Sequence, residues 1–109
     1  WIKRFSESKC FIVKKGKDII GFGNVKQGGF LDMLYIHKDF IRKGIGKLIL
    51  NAIEEQAMKD DVNILRTDAS ITARPFFERM GWKVVKKQII IKNKTQFINY
   101  KMKKELLKT

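Results

Sequence analysis

Apolar positions along this chain keep two different periods. Positions 10–13 read Cys-Phe-Ile-Val, a lysine-rich segment with Gly16 interrupts them, and apolar residues resume over 19–24. That pattern predicts a hairpin closed by a glycine turn. Gly21 and Gly23, inside its second strand, mark a bulge or a close packing position. Gln27-Gly28-Gly29 turns the chain into a run over 31–36, where Leu31, Met33 and Tyr35 alternate with Asp32, Leu34 and Ile36. The run is apolar enough to be buried on both faces. From position 45 the period lengthens: Ile45, Leu48, Ile49, Ala52, Ile53 and Ala57 fall on one helical face. After Asp60-Asp61, positions 62–68 read as a strand and 73–80 as a second helix. Thr72 is its expected N-cap, Pro75 sits in the first turn and Gly81 ends it. Strands over 82–91 and 96–103 follow, the last with Phe97, Ile98, Tyr100 and Met102 as apolar positions. The order is β-β-β-α-β-α-β-β. It predicts an α/β (α+β) domain with a mixed, mostly antiparallel sheet and one central parallel pair at the strand-helix-strand crossover.

The joint between the third strand and the first helix carries the candidate chemistry. It reads Arg42-Lys43-Gly44-Ile45-Gly46-Lys47. Glycines at a helix mouth let backbone N–H groups approach an anion without Cβ obstruction. The helix dipole adds roughly half a positive charge there, and three cations flank it. This describes a phosphate or pyrophosphate cradle. The P-loop pattern GxxxxGK[ST] is absent. A dinucleotide fingerprint would need glycine at position 49, which is Ile.

Composition narrows the class. The 109 residues suit one domain spanning 1–109, and 44% hydrophobic with 11% aromatic residues is globular rather than disordered. No apolar run approaches a membrane span, and no signal-peptide pattern is present. One cysteine, Cys10, cannot form an internal disulfide; it is read as a small buried strand residue, and its isolation suits a reducing cytoplasm. The formal charge of +13 raises nucleic acid as a partner. The lysines are scattered between apolar strand residues, as on solvated faces, and the excess of Lys and Ile also suits an AT-biased genome. Nucleic acid is therefore not the expected main partner, and no metal site is expected.

The cradle resembles the cofactor motif of the GNAT superfamily of N-acetyltransferases, [RQ]-x-x-G-x-[GA]. Gly44 and Gly46 match the small positions, whereas the first position is Ile41, with Arg42 one place later. A second family motif, N-x-x-A-x-x-L-Y-x-x-x-G-F, is matched by Ser70, Ala73, Phe76, Phe77, Gly81 and Trp82 at the same spacing. Ser70 replaces the usual Asn and Phe77 the usual Tyr. Within the superfamily, DASITARPFFERMGW is similar to small bacterial acetyltransferases of the YafP-like type.

The resemblance implies transfer of an acetyl group from acetyl-CoA to a primary amine by direct attack. It implies that the strand before the cradle splays from its parallel neighbour and that pantetheine pairs with the exposed edge at Leu34, Tyr35 and Ile36. The Leu34 N–H would face the thioester oxygen. The loop Arg42, Lys43, Gly44, Ile45, Gly46 and Lys47 would hold the phosphates. Ser70 and Phe77 would add to the cofactor wall. Asp32 is the candidate base, directly or through water, and equally a polar residue on a half-exposed strand face. His37 is either a base or a surface group. Tyr100 is either the hydroxyl that protonates the leaving thiolate or a sheet-face aromatic.

Two other classes stay open: a catalytically silent CoA-binding module, and a basic nucleic-acid-binding domain. Trp1 and Phe5 read as the end of a helix whose beginning is absent, so the family's first strand and helices are expected to be missing, and with them the acceptor-shaping part. The hairpin of Phe11, Ile12, Val13, Ile19 and Ile20 would then offer an open edge and apolar face, with a homodimer as one way to cover it.

Overall fold

The computed structural model describes residues 8–106. Strands β1 (Ser8–Lys15), β2 (Asp18–Lys26) and β3 (Phe30–Ile36) form an antiparallel meander. A 3-10 turn, Lys38–Phe40, leads to helix α1 (Ile45–Lys59) and strand β4 (Ile64–Ser70). Helix α2 (Arg74–Arg79) and the hairpin of β5 (Lys83–Lys92) with β6 (Thr95–Glu105) complete the chain. The six strands make one sheet in the order β1-β2-β3-β4-β6-β5. Only β3 and β4 run parallel, and they pair at just two positions, Phe30 with Arg66 and Leu31 with Thr67. The predicted order and mixed sheet are those observed.

Both helices pack on one sheet face, around Leu31, Ile49, Leu50, Ile53, Leu65, Phe77, Trp82 and Met102. The glycines of β2 make this possible. A Cβ on Gly21 would lie 2.7 Å from Ile45 Cγ2, and one on Gly23 2.8 Å from Ile49 Cγ2. Carbon atoms ordinarily meet at about 3.5–4.0 Å, so α1 sits this close only because β2 has no side chains beneath it. Close packing holds for both glycines, and Gly21 also adjoins a bulge: Val13 faces Gly21 but Lys14 faces Ile19, which leaves Ile20 out of the ladder.

The buried stripe of α1 is Gly46, Ile49, Leu50, Ile53 and Ala57. The expected face needs correction: Leu48 is 55% exposed, whereas Leu50 is fully buried. Leu48, Ile49 and Leu50 are all apolar, so the period alone leaves two adjacent stripes available. The β2 glycines select the one centred on Ile49 and Ile53. Cys10 is also corrected, since it is exposed. It stands opposite Asn24 on the side of β1 away from α1, where no helix of the described residues covers the sheet.

Helix α2 starts without the expected Thr72 cap. Its N-cap is Ala73, whose side chain cannot cap; the Ala73 N–H instead donates to Ser70 Oγ at 3.1 Å. The C-terminus follows expectation. Gly81 has φ +91°, its N–H donates to Glu78 O, and the Trp82 N–H donates to Phe77 O at 2.9 Å. Those paired bonds define a Schellman motif, closed by the ring contact of Phe77 with Trp82 at 5.1 Å. Lys104 Nζ reinforces this end, donating to Met80 O at 2.8 Å and to Glu54 of α1 at 3.0 Å.

At the N-terminal edge, Phe11 and Val13 pack on the core, Ile20 is buried, and Ile12 and Ile19 are about half exposed. The reading of Trp1 and Phe5 as a helix end lies outside the described residues. No helix among the described residues is long and apolar enough to cross a membrane.

Candidate active site

The site begins with an extra residue in β3. Asn24 of β2 faces Met33, but the next residue, Val25, faces Leu31. Asp32 is therefore bulged out of the ladder. A bulge kinks its strand and reverses which amides face which neighbour, and pairing of β3 with β4 ends there. Beyond the bulge the His37 N–H donates to Ile20 O at 2.8 Å. Amides alternate sides along a strand, so those of Met33 and Tyr35 also face β2. Those of Leu34 and Ile36 face the gap that opens toward β4. Of the three expected edge residues, Leu34 and Ile36 present their backbones to this gap. The Tyr35 amide points to β2, and its ring tilts over Phe22 at 5.4 Å.

The chain then turns tightly into α1. His37 Nδ1 accepts from the Asp39 N–H at 3.1 Å, which makes it the cap of the 3-10 turn, and its ring meets Phe40 edge-on. Arg42 and Gly44 both have positive φ, +66° and +83°. The first helical bond is from the Leu48 N–H to Gly44 O at 3.0 Å. The N–H groups of Ile45, Gly46 and Lys47 precede it and have no helical carbonyl to meet. The first turn contains no acidic residue, so its dipole is not neutralised locally. The two glycines serve different ends. Gly44 has open space around its Cβ position and is set by its backbone angle. Gly46 lies against Phe76 of α2, and a Cβ there would be 2.8 Å from the ring. Only Gly44 keeps the approach clear; Gly46 lets the two helices close on each other.

The gap and the helix mouth belong to one cleft of about 940 Å³. Asp32, Leu34, Ile36, Arg42, Gly44, Ile45, Gly46, Lys47, Ser70 and Phe77 all line it. Tyr35, Lys43 and Tyr100 are not among its lining residues. Lys43 lies over the Phe40 ring at 5.8 Å. Tyr100 stands on β6 beside Ala69 with the Arg74 guanidinium 4.7 Å from its ring, which favours its sheet-face reading. Phe77 is buried and edge-on to both Phe76 and Trp82, so it supports the cleft wall from the core. Asp32 Oδ1 lies 3.7 Å from Lys26 Nζ, and its side chain is 35% exposed. Sequence reasoning missed Asp68, which lines the cleft from β4, and Arg79 from α2. The alternation of Thr67, Asp68 and Ala69 was the available signal: Thr67 and Ala69 are buried, which turns Asp68 outward. Residues from both sheet faces line the cleft, Leu34 and Thr67 on the helix side and Met33 and Asp68 on the other, so the gap passes through the sheet.

Known proteins share this arrangement. The family model described as an acetyltransferase (GNAT) domain matches residues 1–104. The uncharacterized N-acetyltransferase YafP of Escherichia coli K12 is 28% identical over 103 residues, covering 94% of this chain and 65% of YafP. A GNAT-family N-acetyltransferase structure from Rhodopseudomonas palustris superposes with a TM-score of 0.84 at 28% identity, covering 96% of this chain and 66% of that one. The PaiA N-acetyltransferase of Thermoplasma acidophilum, solved in complex with coenzyme A, superposes at 0.72 with 22% identity, covering 91% of this chain and 61% of its own. The chain thus spans just under two thirds of these relatives' lengths. With the family model matched over nearly every residue and the parted strands and helix mouth in one cleft, the chain belongs to the GNAT acetyltransferase family.

Proposed function

We propose that this domain transfers the acetyl group of acetyl-CoA to a primary amine in the cytoplasm. The observation that carries the reading is the convergence of two sets of uncommitted backbone N–H groups on one cleft. The first turn of α1, flanked by Arg42 and Lys47, suits a pyrophosphate. The open edge of β3 suits an extended amide-bearing arm, which would add to the sheet as a strand does. A cleft of about 940 Å³ has room for a ligand of this size. Acetyl-CoA supplies an activated thioester. The chain's part is positional and electrostatic. The Leu34 N–H donates where negative charge develops on the thioester oxygen. The cleft holds the amine against the acyl carbon, which removes most of the entropic barrier of a bimolecular step. Asp32 at the bulge takes the amine proton, directly or through water.

A second reading rests on the tyrosine hydroxyl that is absent from the cleft's described lining. Phe77 stands where the family motif has tyrosine, and Tyr100 does not line the cleft. A domain that binds CoA without turning it over would have this wall. Thermal unfolding with acetyl-CoA, followed by an amine panel, separates the readings. Acetyl-CoA should raise Tm by mass action, and Gly44→Val, forced into a left-handed backbone beside the helix mouth, should lose that rise. Turnover on the panel supports transfer. Binding without turnover selects the silent module. A Tm rise unchanged in Gly44→Val places the ligand elsewhere and refutes both.

A further inference from the structure

The sheet face away from the helices carries cations stacked directly opposite one another. Lys83 of β5 pairs with Lys103 of β6, and Lys103 pairs with Arg66 of β4. One row over, Lys86 pairs with Lys101, and Lys101 with Asp68. Residues paired across strands share a face, and neighbouring strands lie only about 4.8 Å apart. Like charges so placed repel and lower stability. Among the described residues Lys103 meets Glu105 at 3.4 Å, while Lys83, Lys86, Lys101 and Arg66 have no carboxylate within ion-pair distance. A face that keeps this repulsion is suited to an anionic partner.

The rows also lead somewhere. The Lys86–Lys101 row ends on Asp68, and Asp68 lines the cleft. Because the cleft passes through the sheet, a molecule lying on this face can reach the reacting position from the side opposite the helices. We infer that the acceptor is an acidic polypeptide segment, its amine entering the gap between Asp32 and Asp68 and its carboxylates lying over Lys86, Lys101, Lys83 and Arg66. This rests on the proposed acetyl transfer for the identity of the reaction, although the docking itself does not. Extended chains carry alternate side chains at about 6.6–6.8 Å along one face, the same repeat as the rows beneath. Nucleic acid fits less well, because single strands take their grip from aromatic platforms as well as cations. The rows contain no aromatic residue; Tyr100 lies on the opposite face and Phe97 lies beyond them, near the hairpin turn.

The test is fluorescence anisotropy at two salt concentrations. The probes are a labelled peptide with an N-terminal alanine followed by four aspartates, its tetra-asparagine counterpart, and a single-stranded oligonucleotide. The acidic peptide should bind at least tenfold more tightly than the neutral one, and Lys86→Gln with Lys101→Gln should remove most of that difference. Loss of a surface cation from a repelling row does not threaten folding, and unchanged or raised Tm in the double variant checks this. Equal binding of both peptides, indifference to the double substitution, or tighter binding of the oligonucleotide each overturns the inference. Turnover is read separately with acetyl-CoA and the acidic peptide. Peptide binding without turnover, where the amine panel is turned over, would overturn the peptide as acceptor; no turnover on either would count against the proposed reaction while leaving the docking surface standing.

Discussion

Gly21→Ala tests what holds the helix mouth in place. The added Cβ would stand 2.7 Å from Ile45 Cγ2, 3.2 Å from Ile49 Cδ1 and 3.2 Å from the Tyr35 carbonyl oxygen. The last is backbone in the adjacent strand and yields little. The helix must therefore retreat by roughly 0.8 Å to restore ordinary carbon contact of about 3.5 Å at Ile45. Overpacking of this kind costs about 1–3 kcal/mol, which for a domain near this size lowers Tm by about 4–20 °C. Ile45 is the first residue of α1, so the same retreat displaces the first-turn N–H groups and weakens acetyl-CoA binding as well. Ile45→Ala removes the clashing methyl at its own packing cost. The two changes should couple favourably: the double variant should be more stable than the sum of the single losses by about 0.5–2 kcal/mol. Equilibrium urea unfolding of the four proteins measures this. A neutral Gly21→Ala, or losses that simply add, would mean that β2 does not set the height of the helix.

Leu50→Ala should cost about 2–5 kcal/mol, whereas Leu48→Ala, mostly exposed, should stay within about 1 kcal/mol; thermal melts compare them. Asp32→Asn should lower kcat by about 10²-fold or more with the acetyl-CoA-induced Tm rise retained; near-normal turnover would make Asp32 a bulge residue and nothing more. Asp60 is held below its ordinary 3.8 chiefly by a hydrogen bond from Lys9 Nζ at 2.6 Å. A lowered carboxyl stabilises the fold above its unfolded value and stops doing so as pH falls through the folded one. The stability difference between wild type and Lys9→Ala should thus be constant above about pH 5 and close as pH drops below 3.8; a difference that persists at pH 2 would assign it to packing of the lysine stem.

Element order and the cradle were legible because they are local. A change of period, a glycine pair and a Schellman glycine each act within a few residues of themselves. The Thr72 cap, lost to Ser70 three residues before Ala73, is a local miss; the other misplacements are tertiary. Leu48 and Leu50 offer α1 equivalent apolar surfaces, and the choice was made by Gly21 and Gly23 some 25 residues earlier. Alternation put Cys10 on one face of β1 without saying that the helices would cover the other. The bulge at Asp32 has no glycine to announce it, yet it decides that Leu34 and Ile36, not Tyr35, present their amides to the cleft. Asp68 faces the same cleft only because β4 lies beside β3 at that height.

The short seam between β3 and β4 divides the sheet into two leaves of three strands. The first leaf is built from neighbouring hairpins. In the second, β5 and β6 form a hairpin and β6 returns to β4. Hairpin pairings close quickly, and long-range ones are slow. The β4–β6 pairing joins residues 29 to 41 positions apart, and the seam joins residues 36 positions apart, where the Thr67 hydroxyl donates to Leu31 O at 2.9 Å in the core. Both are then expected to follow the hairpins in folding. A ligand in the gap would bridge both leaves, so native-state hydrogen exchange should show protection rising in the two together. Slow exchange gained by one leaf alone would mean that the leaves are not yoked through the cleft.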